Sequence, residues 1–260
     1  MSGWASYLII DAEWLGILAA VAFIAGFFDT LAGGGGLITI PTFLFAGFSP
    51  AQALATNKCQ AFAGTLTASI KLVSSGHLQI QKLWPFALFA FLMALIGAWV
   101  LREVADAPWL DRIVPLLLLI AAGYFGFARL PQTSITKAPT FGFLTVFGVG
   151  LIGFYDGFFG PGTGSLFALL MISGLGLALR EATIHAKLLN AMTNLAAFLL
   201  FATSDLVQWS AVAVMIPAQI VGALLGTRII LGRGIVIIRP LVVLMCSLMA
   251  IKLASEAWLA

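Results

Sequence analysis

Residues 26–36 read GFFDTLAGGGG, and residues 153–165 read GFYDGFFGPGTGS. Gly26, Phe27, Asp29 and Gly33 of the first stretch recur as Gly153, Phe154, Asp156 and Gly160 of the second. Each stretch runs into a glycine-rich break, Gly33-Gly34-Gly35-Gly36 in one and Gly160-Pro161-Gly162-Thr163-Gly164 in the other. Further along, with small gaps, Ala53 matches Ala182, Lys58 matches Lys187, Ser75 matches Ser204 and Gly97 matches Gly226. The chain therefore reads as two related halves, 1–138 and 139–260.

The surroundings of these stretches are apolar. Of 260 residues, 62% are hydrophobic and 9% charged, and the mean hydropathy is +1.10. A soluble domain needs polar groups over its outside, and this composition cannot supply them. Lipid removes that need. Ten apolar segments are expected, at about 14–31, 36–48, 51–73, 83–101, 109–128, 139–158, 164–179, 181–203, 206–230 and 235–254. With short loops between them they are helices, because an open sheet cannot satisfy its edge in hydrocarbon. Segments 36–48 and 164–179 are too short to span upright, since a crossing takes about 20 residues. The fold class expected is an all-α integral membrane protein. Five segments per half, an odd number, would set the halves in opposite orientations as an inverted repeat with glycine-rich breaks.

Loop charge agrees with that scheme. Lys71 and Lys82 flank one loop, Arg129 and Lys137 another, and Arg228, Arg233 and Arg239 a third. These loops are separated by even numbers of segments, so all can face the cytoplasm. Both termini then face outward. The loop with Arg102, Glu103, Asp106, Asp111 and Arg112 is mixed and decides little. The net charge of +3 forms no basic stripe with interleaved aromatics, so nucleic acid is not an expected partner. Cys59 and Cys246 lie in apolar runs without metal-ligand spacing, and neither a disulfide nor a metal is expected. With no basic stretch ahead of the first apolar run, a cleaved leader is not expected either.

Polar residues inside the apolar segments carry the chemistry. A lysine at the bilayer centre costs about 3 kcal/mol on insertion scales, so Lys58 and Lys187 call for a cavity, a partner or an interface. One reading has them binding an anion near the axis relating the halves. The other has them snorkelling or paired with an acid. Thr56, Asn57 and Gln60 accompany Lys58; Asn190 and Asn194 follow Lys187 at i+3 and i+7, on one helix face. Amide and ammonium donors on one face suit an oxyanion, and they also suit polar contacts between helices. His185 sits near a segment end and reads as interfacial.

Helix starts after the breaks, at Gly34, Gly35 and Gly36 and at Gly162, Thr163 and Gly164, turn unpaired N–H groups and a positive dipole end inward. Close helix packing also wants glycine, but a run of four exceeds that need. Asp29 and Asp156 each lie four residues before a break. They can brace the broken backbone as acceptors, or carry a proton if burial favours the neutral form.

The stretch from Gly26 to Lys58, GFFDTLAGGGGLITIPTFLFAGFSPAQALATNK, together with GFYDGFFGPGTGS and HAKLLNAMTN (185–194), resembles the sulfite exporter TauE/SafE family, also called the toluene sulfonate uptake permease group. The likeness covers nearly the whole chain and falls nearest to the YfcA-like branch. It implies a multi-pass carrier in the bacterial inner membrane for sulfur-containing anions such as sulfite, sulfoacetate or other small sulfonates. Most members are described as exporters and some as importers. Pro161, Thr163 and Ser165 make the second break unlike the first, so the halves are expected to do unequal work.

The expectation is a secondary carrier without cofactor or catalytic residue, its anion held between the halves near the midplane. Its partners are that small anion, the bilayer and, open from sequence, further copies in a homo-oligomer. No P-loop is present for ATP. An anion channel and an intramembrane enzyme are the alternatives, the latter lacking a serine nucleophile with a base, zinc spacing or a redox cysteine pair. Single cysteines placed in 74–82 and in 130–138 should label from the same membrane face; labelling from opposite faces would end the inverted-repeat scheme.

Overall fold

The computed structural model describes residues 12–78, 80–127 and 142–231. All secondary structure among them is helical: α1 (Ala12–Ala32), α2 (Gly36–Phe45), α3 (Pro50–Ser74), α4 (Ile80–Glu103), α5 (Leu110–Phe127), α6 (Phe143–Phe158), α7 (Thr163–Leu175), α8 (Leu179–Phe201) and α9 (Trp209–Leu231). They occupy nine of the ten expected segments. The tenth, 235–254, lies outside the described residues, as do Arg129, Lys137, Arg233, Arg239 and Cys246. Within them, four stretches are long and apolar enough to cross a membrane: Trp14–Ala32, Leu83–Glu103, Leu179–Phe201 and Trp209–Leu231.

Burial runs opposite to that of a soluble protein. Trp84, Leu88, Leu92, Ile96 and Trp99 form an exposed apolar stripe along α4, while Lys58 and Lys187 are only 2% and 1% exposed. An apolar outside around a charged inside is what a hydrocarbon solvent selects. The chain is a multi-pass membrane protein.

Local signals set the ends of the helices. Ser49 caps α3 in a reciprocal box with Gln52, at 3.1 and 3.3 Å, and Pro50 occupies the first turn, where its missing N–H costs nothing. At the breaks, Gly33, Gly160 and Gly162 adopt positive φ values of 70, 95 and 83°. Only glycine does so without strain.

Side-chain contacts fix how the helices run. Ser69 on α3 donates to the Lys187 carbonyl on α8 at 3.1 Å. Phe62 stacks on Phe198, with centroids 5.1 Å apart, and Thr56 accepts from the Gln208 N–H beyond the end of α8. The two helices are antiparallel. Arg180, at the start of α8, donates to the carbonyls of Ile230 and Leu231 at the end of α9, so α8 and α9 are also antiparallel. In contrast, Gly222 of α9 lies against Phe23 and Phe27 of α1, and Gly226, one turn on, against Phe27 and Thr30. Helix α1 thus runs the same way as α9, and hence as α3. The chain must return between α1 and α3, and α2, about 15 Å long at ten residues, makes the return.

The same contact recurs between α4 and α6. Gly153 of α6 lies against Ala90, and Gly157, one turn on, against Ala94. A methyl group at Gly157 would run into the Ala94 carbonyl, and one at Gly97 into that of Phe154. These are backbone-to-backbone approaches that only glycine permits, and they join one half of the chain to the other. Gly157→Ala should therefore cost about 1–3 kcal/mol by overpacking, read as a lower melting temperature in detergent. Gly16→Ala, where an added Cβ meets nothing within 4 Å, should not lower it. Equal melting temperatures for the two variants would contradict this packing.

Candidate functional site

The two lysines singled out by the repeat each meet an acid of the opposite half. Lys58 Nζ lies 2.6 Å from Asp156 Oδ1. Lys187 Nζ lies 3.6 Å from Asp29 Oδ2 and donates to the Asp29 backbone carbonyl. The partners are 98 and 158 residues apart in sequence. Neither lysine snorkels to an interface. Removing one member of a buried pair costs about 3–5 kcal/mol, because the other is left charged without water or partner.

The pairs are related but unequal. Asp29 Oδ1 also accepts the Gly35 N–H at 3.2 Å, bracing the first break. Asp156 Oδ1 accepts the Thr163 hydroxyl at 2.7 Å, and that hydroxyl also reaches the Gly160 carbonyl. The second oxygen, Asp156 Oδ2, is buried without a hydrogen-bond partner among the described residues. The two breaks touch each other. Gly33 packs against Gly164 with no room for a Cβ on either, and Ser165 Oγ donates to the Ala32 carbonyl.

A small polar cavity opens where the breaks and pairs converge. Asp29, Lys58 and Asp156 line it with Gly33, Gly36 and Gly160, and Asn57, Ala61, Asn190 and Asn194 complete the wall. Asn57 Oδ1 accepts from Thr39 Oγ1 at 2.5 Å and Gln60 Nε2 at 3.1 Å. Asn194 Nδ2 donates to Asn190 at its carbonyl, 2.8 Å, and its Oδ1, 3.1 Å. The ammonium and side-chain amides at this cavity are groups of the kind that hydrogen-bond oxyanions. A model of the family described as sulfite exporter TauE/SafE matches residues 18–253.

The chain belongs to this family. Three relatives are similar over almost their whole length. A protein of Haemophilus influenzae named "Probable membrane transporter protein" is 37% identical, over 96% of this chain and 98% of its own. The Escherichia coli K12 protein named "Probable membrane transporter protein YfcA" is 38% identical, over 97% and 94%. One from Sinorhizobium, named "Probable membrane transporter protein ORF9", is 39% identical, over 93% of each. No solved structure matches the chain. The protein is a membrane transporter of the TauE/SafE family.

The remaining candidate residues of this transporter are distributed unevenly. Thr56 is buried but turned to the Gln208 backbone, and Gln60 is buried behind Asn57. Neither lines the cavity. Lys187 reaches Asp29 from behind. At the helix starts, the Gly35 N–H is taken by Asp29 and the Thr163 N–H by the Gly160 carbonyl, while those of Gly34, Gly36, Gly162 and Gly164 have no partner among the described residues. Of the break residues, Gly33, Gly36 and Gly160 line the cavity; Gly34, Gly35, Gly162, Thr163 and Gly164 do not. Sequence reasoning passed over Thr39, which holds Asn57, and over Gly160 as a lining residue. A Cβ at Gly160 would strike the Lys58 ammonium.

The ion pair makes a quantitative expectation. Lys58→Ala should destabilise the protein by about 3–5 kcal/mol, and Lys58→Ala with Asp156→Ala should cost less than the sum of the two single changes. Thermal unfolding of the three variants in detergent measures the coupling. Strictly additive effects would contradict a direct pair.

Proposed function

We propose that the chain is a secondary carrier of small sulfur-containing oxyanions, sulfite, sulfoacetate or related organosulfonates, acting mainly as an exporter in the bacterial inner membrane. The anion sits in the cavity between the two breaks, near the midplane. The observation that carries this reading is the cavity itself, where Lys58, Asn57, Asn190 and Asn194 converge from α3 and α8. Lysine supplies charge, and the amides supply directional donors that read oxygen positions.

The architecture proposed with it is two inverted five-segment repeats, 1–138 and 139–260. The crosswise lysine–acid pairs and the matched glycine contacts of α1 on α9 and α6 on α4 support it. In that arrangement α2 and α7 are re-entrant helices entering from opposite faces. Rocking one half against the other would expose the cavity alternately. The Gly33–Gly164 contact packs backbone on backbone beside the cavity, which suits an occluded carrier better than an open channel.

Purified protein in liposomes should take up labelled sulfite or sulfoacetate with saturation, and should exchange one for the other without chemical change. Asn190→Ala should raise the half-saturating concentration about tenfold, the loss expected for one hydrogen bond to a charged group. Flux rising linearly with concentration would favour a channel, and altered product an enzyme.

A further inference from the structure

Asp156 presents a buried carboxylate oxygen, Oδ2, that no donor among the described residues satisfies, while its other oxygen takes both Lys58 and Thr163. Both Asp156 and Lys58 line the cavity. Asp29, the counterpart acid, is occupied differently: its Oδ1 braces Gly35, and Lys187 is held at its backbone carbonyl as well as near Oδ2. The acids therefore divide their work, Asp29 holding a break and Asp156 facing the cavity with one oxygen to spare.

Charge makes the consequence. The cavity region holds two lysines and two aspartates, which sum to zero. An entering oxyanion adds negative charge to a site whose Lys58 and Asp156 side chains are buried. The Lys58 ammonium has further N–H groups to offer it, but that single positive charge cannot neutralise both the anion and Asp156. One of two buried anions is then left without a counter-charge, an arrangement strongly disfavoured away from water. The same group becomes harmless when neutral.

We propose that Asp156 is the coupling-proton site of this carrier, competing with the substrate oxyanion for Lys58, so that the anion crosses with one proton. The proposal rests on the carrier reading above. In the step, the Lys58 ammonium leaves Asp156 Oδ1 for a substrate oxygen. A proton from bulk water forms an O–H bond at Asp156 Oδ2, and the Thr163 hydroxyl still holds Oδ1. On the far side the anion leaves, the O–H bond breaks, the proton returns to water and Lys58 re-forms its pair. The other titratable groups around Asp156 are Tyr155 on its own helix, whose hydroxyl is committed to the Pro161 carbonyl at 2.7 Å, and Asp29 with Lys187 across the cavity. Helix α7 presents Thr163, and α4 packs nearby through Ala90 and Ala94. Asp29, the other acid lining the cavity among the described residues, is held by the Gly35 N–H and by Lys187.

Sulfoacetate is the probe of choice, because it is fully ionised near neutral pH and carries no proton itself. In liposomes with the membrane potential clamped to zero, a gradient of one pH unit should drive about tenfold accumulation by wild-type protein, the ratio for one proton per anion. Asp156→Asn should abolish that accumulation yet keep sulfoacetate counterflow at altered affinity, because exchange needs no net proton movement. Asp106→Asn, at an exposed loop acid away from the cavity, should keep pH-driven accumulation. Wild-type uptake indifferent to the pH gradient, or Asp156→Asn that still accumulates, would overturn the proposal while leaving the carrier reading intact. Loss of counterflow as well in Asp156→Asn would make the residue a brace and also overturn it. No saturable sulfoacetate flux in wild-type protein, with sulfite exchange intact, would show the carrier reading sound and the substrate wrong; proton-driven sulfite uptake abolished by Asp156→Asn would then support the proposal, and its persistence would overturn it.

Discussion

A lysine ammonium buried in a membrane protein has to be answered by a negative group within a few ångströms, and here each half of the chain answers the lysine of the other. Lys58 meets Asp156 at 2.6 Å and Lys187 meets Asp29 at 3.6 Å. Neither half can neutralise its own lysine by these contacts. Correct assembly of the halves is thereby rewarded by relief of two large desolvation costs, and a misassembled bundle would leave four charges unanswered in hydrocarbon. The same pairs bring α1, α3, α6 and α8 to one point, which is where the cavity lies.

Glycine makes that convergence sterically feasible. In lipid, helix association draws little from apolar burial and much from close packing. Gly222 and Gly226 let α9 press on α1, and Gly97, Gly153 and Gly157 let α4 press on α6. The acids sit near the far ends of α1 and α6, three residues beyond Gly26 and Gly153 respectively. Each acid is therefore carried toward the axis by a helix clamped to the opposite half. Gly33, Gly36 and Gly160 then bring bare backbone to the cavity wall, and Gly160 leaves room for the Lys58 head.

Much of this was legible from residues alone. The expected segments coincide with α1 through α9 because long apolar runs between short polar loops have few alternatives in lipid. The short α2 and α7 were marked by the breaks before them. Matching Asp29 with Asp156 and Lys58 with Lys187 was also open to inspection. The crosswise pairing was not. Sequence places Asp29 and Lys58 in the same half, and only the packing of α1 on α9 and α6 on α4 sends each acid across. Thr56 and Gln60 illustrate a second limit. Each is one residue from a lining position, Asn57 or Ala61, and one residue turns a helix by about 100°. That rotation sends Thr56 to the Gln208 backbone instead of the cavity. The helix starts show a third: of the N–H groups expected open at the breaks, that of Gly35 is closed by Asp29 and that of Thr163 by a turn onto Gly160, closures that depend on backbone angles invisible in composition.

The proposed transport cycle turns on a sulfur oxyanion replacing a carboxylate as the partner of a buried lysine. The most direct measurement is an electron cryo-microscopy structure of the protein in lipid with sulfoacetate bound. That structure should show anion density within hydrogen-bond reach of Lys58 Nζ and of Asn57, Asn190 or Asn194, with the Lys58–Asp156 distance opened beyond contact. Sulfoacetate bound elsewhere, with Lys58 still on Asp156 and Lys187 still on Asp29, would contradict it.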